Sequence, residues 1–356
     1  MADQSASAEL DRLLVEIFDQ PAVIQRLLHH QVAAVDAVAA AVARRDPSAI
    51  VLVARGSSDN AAVYGRYLFE VCNRRLTSLA APSELTLYGS GPRLDRAVVI
   101  GVSQSGRGED VVAYVSEARR QGAPTVAIVN DASSPLAAAA EHVLECEAGP
   151  ELSVPATKTV TAQMTLLAML ACALEAPGGG LDRLRGLPAA VAAALEQRHA
   201  AARLAQSLAR TSLGSVIGRG FGFPPALEVA LKLKETSYTR AEPFSAADFL
   251  HGPIALVQAG YGALLIDVGG YSSQSAVEIA AAIRERGGQP ALLRAGELTQ
   301  RLADGVPSVA VPAPVAEPFA PIPALVLGQL VAIELALALG LDPARPRYLH
   351  KVTSTR

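Results

Sequence analysis

The sequence predicts an α/β protein made of two tandem copies of one doubly wound, mostly parallel sheet flanked by helices. Short continuous apolar runs alternate with helical stretches, as buried parallel strands do when helices cover both faces of the sheet. Each run stops at a small polar loop, such as Arg55-Gly56-Ser57-Ser58 or Ser103-Gln104-Ser105-Gly106. Gly122 and Pro124 fall 166 positions before Gly288 and Pro290, and Gly56 falls 164 before Gly220, which reads as an internal duplication.

Taken in order, residues 8–45 carry Ala, Leu and Val at helical spacing, with Pro21 and Asp46-Pro47 as breaks, and predict two helices. Residues 49–54 are expected as the first strand, followed by a helix to about Glu70. Residues 97–102 form the next strand and lead through the Ser-rich loop into a helix ending near Gln121, after which 125–129 is again a strand. A helix over about 161–174 precedes Ala176-Pro177-Gly178-Gly179-Gly180, a linker composition. The pattern then returns with a strand at 214–218, the loop 219–222, a charged helix, and strands at 262–268 and 291–294. An apolar helix over about 322–339 and a polar tail finish the chain. The second copy is read as having lost the Ser-rich loop. The resulting division is a helical segment 1–45, a first domain 46–176, a linker and helix 177–198, a second domain 199–340 and a tail 341–356.

The 51% hydrophobic and 18% charged residues in 356 positions are enough for two full α/β cores. A net charge of -3, with no Lys or Arg run, gives no electrostatic footprint for nucleic acid or an anionic membrane. Cys72, Cys146 and Cys172 stand far apart in apolar contexts and read as reduced thiols. With neither a signal peptide nor ~20 uninterrupted apolar residues, a cytoplasmic protein is expected. The histidines and cysteines show no zinc spacing, and neither a GxGxxG fingerprint nor a P-loop is present, so no metal and no cofactor are expected.

Chemistry concentrates in the helix after residue 222. Glu228, Lys232 and Glu235 stand at i, i+4 and i+7 and share one face of a helix whose other faces are apolar. The plain alternative is a surface pair worth about 0.3–0.5 kcal/mol. The Ser103 loop closes a strand and opens a helix, where backbone N–H groups and the helix dipole favour an anion, and the Ser57 loop stands at a comparable strand end. The alternative role for Ser57 and Ser103 is helix capping; two such loops favour a phosphorylated small molecule.

SQSG after a strand, Thr157-Lys158-Thr159, ALEVALKLKETSY, FLHGP and ARPRYLHKVT occur in that order. This series resembles the sugar isomerase (SIS) double domain found in the isomerase half of glucosamine-6-phosphate synthase, from about Glu16 onward. A glutaminase domain is missing from the pattern. Among stand-alone relatives the SIS-type glucosamine-6-phosphate deaminase fits best in length and layout.

The resemblance implies a cofactor-free homodimer acting on an amino-sugar phosphate. It implies Glu235 as the acid/base between C1 and C2 of the sugar, and His251 as the ring-opening residue reaching into the neighbouring subunit's site. Lys351 would form a Schiff base with the open-chain sugar or polarise its carbonyl, with Lys232 as a companion lysine. Ser57, Ser58, Ser103, Gln104, Ser105, Gly108, Val154 and Ala156 fall at phosphate and sugar contacts. Gly108 replaces a threonine and Ala156 a serine of the synthases; Arg107 is expected to add charge beside Gly108. Alternative readings are a ketose/aldose phosphate isomerase, a fructosamine-6-phosphate deglycase, a non-catalytic sugar-phosphate sensor, and a structural partner of a separate glutaminase.

Overall fold

The computed structural model describes residues 2–176, 180–298, 300–301 and 303–351. The middle of the expected linker, 177–179, and the end of the tail, 352–356, lie outside the described residues. Two compact units are present, and each has one five-stranded parallel sheet.

The N-terminal segment forms three helices, α1 (Ala2–Phe18), α2 (Gln20–His30) and α3 (Val32–Arg45), where the sequence reading expected two. Pro21 marks the first break because its ring is tolerated in the first turn of α2. The second break, at Gln31, has neither Gly nor Pro to announce it.

The first-sheet unit comprises Ala22–Glu151, Lys158–Arg185 and the tail from His350. In it run β1 (Ala49–Val53), α4 (Ser57–Val71), β2 (Thr77–Leu79), α5 (Ser83–Thr86), β3 (Ala97–Ser103), α6 (Glu109–Arg120), β4 (Thr125–Val129), α7 (Pro135–Ala139), β5 (His142–Glu145) and α8 (Lys158–Glu175). The strand order β2-β1-β3-β4-β5 reverses direction between β1 and β3. The apolar runs are buried, with β4 covered along its whole length. α8 is buried on nearly all sides and packs against α3 and α4.

The second-sheet unit comprises Met1–Pro21, Leu152–Thr157 and Gly186–Leu349. After α9 (Leu187–Glu196) and α10 (Arg198–Leu208) come β6 (Ser212–Gly218), α11 (Phe223–Ser237), β7 (Glu242–Ser245), α12 (Ala246–Leu250), β8 (Tyr261–Asp267), α13 (Ser273–Glu285), β9 (Gln289–Arg294), β10 (Ser308–Ala310) and α14 (Pro321–Ala338). Its order, β7-β6-β8-β9-β10, repeats that of the first sheet strand for strand, in line with the repeated turn residues. By length and composition α14 is apolar enough to cross a membrane, yet it is the core helix of this unit, packed on α10 and α11 with its residues mostly buried.

The sequence reading placed the inner strands of both sheets and missed the edge strands β2, β5, β7 and β10, which have three or four residues each. Its reading that the second copy lost the Ser-rich loop is also corrected: Ser272 and Ser273 follow β8 as Ser105 follows β3, which ends at Ser103.

Candidate active site

In the first-sheet unit the predicted phosphate loops follow β1 and β3, the two strands that flank the reversal of strand order, where doubly wound sheets bind ligands. Capping does not account for the serines. Gly56 is the N-cap of α4 and Gly108 that of α6, neither with a side-chain cap, and Ser57 is already helical. Ser103 Oγ instead accepts from Gly106 N at 3.1 Å, and Ser105 Oγ accepts from Arg107 N at 3.3 Å, which curls the loop. Gly106 has φ +62°, and a Cβ there would collide with the Ser134 hydroxyl, so only glycine fits. The carbonyl of Gln104 accepts from Asn130 N at 3.2 Å and that of Gly106 from Leu136 N at 3.0 Å, seating the loop on the neighbouring chain. Ser58 is buried in the first turn of α4.

Two arginines stand beside these loops. Arg107, expected at the phosphate, has its guanidinium 3.3 Å from Asp131. Arg55, at the end of β1, donates from Nε to Asp110 at 2.6 Å; Asp110 is buried in the first turn of α6, while Arg55 stays half exposed. Sequence reasoning passed over Arg55, although its place in the loop before Ser57 was a usable signal.

Lys351 is not a solvated end-of-chain lysine. Its Nζ lies 2.6 Å from Glu151 Oε2, and the Glu151 carboxylate is fully buried. Glu151 also accepts from Thr159 N at 3.1 Å and Thr159 Oγ1 at 2.8 Å, in the first turn of α8. A carboxylate there satisfies N–H groups that the helix leaves open and meets the positive end of its dipole. Glu151 was not among the sequence-derived candidates, since a pairing across 200 positions leaves no spacing pattern.

In the second-sheet unit the charged stripe lies on α11. Lys232 Nζ is 3.4 Å from Glu228 Oε1 and 2.5 Å from Glu235 Oε2. Glu228 and Lys232 are 1% and 3% exposed at the side chain and Glu235 is 20% exposed, which excludes the surface-pair alternative. Burial opposes the charge on Lys232, but the two carboxylates outweigh it and hold the ammonium above its ordinary range. α11 ends at Tyr238, a left-handed residue (φ +55°) whose hydroxyl accepts from Arg347 N at 3.0 Å and whose ring lies 4.6 Å under the Arg347 guanidinium. Arg345 pairs with Glu9 of α1. The tail is therefore pinned at Glu9 and Tyr238 before it reaches Lys351.

Val154 and Ala156 lie in the non-helical segment Leu152–Thr157. Glu16, buried on α1, accepts from Leu152 N at 2.6 Å and from Ser153 N at 3.2 Å. Gln329 of α14 donates to Thr157 O at 3.3 Å and accepts from Gln20 at 2.9 Å, so the segment is gripped at both ends. His251 ends α12, exposed, with Nδ1 2.7 Å from the Ala247 carbonyl. A carbonyl only accepts, so Nδ1 is the donor in this contact. Gly252, at φ +143°, makes the turn that follows. Leu250 and Leu256, near His251 in sequence, are 49% and 59% exposed.

The loop after β8 differs from its counterpart after β3. Ser272 Oγ donates to Gly269 O and Ser273 Oγ to the buried Asp267, while the Glu317 carboxylate accepts from Tyr271 N at 2.9 Å and Ser272 N at 3.3 Å. An internal carboxylate thus covers two backbone donors of the turn that leads into α13. Among the described residues no group of three or more His, Cys, Asp or Glu side chains is disposed to hold a metal.

Residues 45–173 and 215–336 match the SIS domain family. Glutamine–fructose-6-phosphate aminotransferase (isomerizing) of Thermococcus kodakarensis is 35% identical over 349 residues, 95% of this chain and 57% of that protein, so the chain spans little more than half of that relative. A crystal structure from Silicibacter pomeroyi, provisionally named a phosphosugar isomerase, superposes with a TM-score of 0.82 at 34% identity, covering 93% of this chain and 99% of the other. Glucosamine-6-phosphate deaminase of Thermotoga maritima shares the fold, with a TM-score of 0.77 at 20% identity over 97% of this chain. Two parallel sheets of one strand order, Ser-rich loops at the reversal point and the family match over both sheets lead to one conclusion: the chain belongs to the SIS-domain family.

Proposed function

We infer that the protein is a cofactor-free enzyme that deaminates an amino-sugar phosphate, glucosamine 6-phosphate being the first candidate. The observation that carries this reading is the buried Glu228–Lys232–Glu235 stripe, which holds one partly exposed carboxylate in a fixed position beside a cation. Sugar phosphate binds with its phosphate on the 103–106 loop, next to Arg55 and Arg107. His251 of the neighbouring subunit opens the ring; the exposed Leu250 and Leu256 suit a homodimer surface that would bring it there. Glu235 takes the C2 proton and returns it to C1. The resulting C2 imine adds water and expels ammonia, so that glucosamine 6-phosphate and water give fructose 6-phosphate and ammonia. Lys351 engages the open-chain carbonyl.

The test is ammonia release from glucosamine 6-phosphate alone, with fructose 6-phosphate followed in parallel. Equal amounts of both are expected. Tight binding of the sugar with no ammonia overturns the deaminase reading. The similarity to the Silicibacter pomeroyi protein over nearly its whole length favours, as a second reading, a ketose/aldose phosphate isomerase. That reaction uses the same proton shift and releases no ammonia.

A further inference from the structure

We propose that Glu151 is the positioning residue for Lys351, a role that rests on the reading of Lys351 as the group engaging the open-chain sugar. Glu151 is a fully buried carboxylate that accepts from Thr159 N, Thr159 Oγ1 and Lys351 Nζ, each within 3.1 Å. A buried carboxylate is costly unless it is hydrogen-bonded and paired. The first turn of α8 fixes two of these contacts, so the carboxylate is a rigid anchor and the lysine is the movable partner. The Lys351 side chain is 21% exposed and so keeps access to a ligand.

The chemistry explains why such an anchor is useful. Lys351 begins as an ammonium. Glu151 takes one of its protons, the freed lone pair attacks the carbonyl carbon, and the C=O π pair takes a proton to give a hydroxyl. The hydroxyl leaves as water with a second proton as the nitrogen lone pair forms C=N. Overall, ammonium and carbonyl give a protonated imine and one water, with charge conserved. The nitrogen is positive at the start and at the end, and Glu151 faces it in both states.

The test compares Glu151→Gln, Thr159→Val and Lys351→Ala, using fructose 6-phosphate with borohydride to trap the imine as a secondary amine read by mass spectrometry. Glu151→Gln is expected to lower the trapping rate and kcat by at least about 100-fold while the KM for the sugar phosphate moves less than about 3-fold. Thr159→Val, which removes one hydroxyl and keeps the carboxylate, is expected to lose about 10-fold, and it serves if Glu151→Gln does not fold. Normal trapping and kcat in both variants, with Lys351→Ala inactive, would overturn the positioning role alone. Full activity in Lys351→Ala would overturn the reading on which it rests.

Discussion

Lys232 binds Glu235 more closely than it binds Glu228, at 2.5 Å against 3.4 Å, although Glu228 is the more deeply buried carboxylate. One ammonium therefore neutralises a buried structural charge and fixes a partly exposed one. Lys232→Met leaves Glu228 buried without its cation, which is expected to cost roughly 3–5 kcal/mol in denaturant unfolding. The sign of the pH effect follows from the raised value of Lys232: its contribution is present below the ordinary lysine value of 10.5 and is lost as pH rises through the folded value. The stability gap between wild type and Lys232→Met is expected to narrow above pH 10.5, as urea midpoints would register.

Glu235→Gln keeps the shape of the side chain and removes the proposed base. Sugar-phosphate affinity by calorimetry should change little, while turnover should fall at least about 100-fold. Near-normal turnover would remove Glu235 from the proton transfer.

The loop beneath the proposed phosphate site depends on one backbone conformation. Gly106→Ala puts a Cβ against Ser134 at φ +62°, a left-handed setting that alone costs about 1–2 kcal/mol. The expected outcome is a KM for the sugar phosphate at least about 10-fold higher. An unchanged KM would move the phosphate elsewhere.

Sequence patterns carried the inner strands and the α11 stripe because both are local: an apolar run fills a buried strand, and i, i+4, i+7 spacing fixes a helix face. They did not carry the edge strands, whose few residues lack a full period. Nor did they carry Glu151 on Lys351, Arg55 on Asp110 or Glu16 on Leu152, contacts that exist only once distant segments are folded together. Glu16 and Gln20 illustrate the difference. Glu16 opens the stretch where the resemblance begins, but its hold on the segment bearing Val154 and Ala156, like the bond from Gln20 to Gln329, forms only in the folded chain.

Tyr238 ties the end of α11 to Arg347, which is four residues before Lys351 in the chain. Tyr238→Ala removes a hydrogen bond and a cation–π contact, together worth about 1–2 kcal/mol. Imine trapping at Lys351 should slow by about 10-fold, with Tyr238→Phe, which keeps the ring, falling in between. Equal trapping in all three proteins would show that the tail needs no such tether.

Leu256 is exposed and close in sequence to His251. Leu256→Lys should leave the monomer folded, as judged by circular dichroism, while shifting a dimer towards monomer in light scattering and lowering activity. A dimer that persists with full activity would place the subunit contact on another surface.

The Glu317 carboxylate over Tyr271 N and Ser272 N is in effect a tethered ligand. The folded chain holds this carboxylate 2.9 Å from Tyr271 N although the two are 46 positions apart in sequence, so a free sugar phosphate competes poorly for those donors. Of two halves with one topology, the half bearing Ser103 is then the one expected to respond to ligand. Saturation with sugar phosphate is accordingly expected to follow a single hyperbola, at one equivalent per chain, with no second weaker phase over the micromolar range.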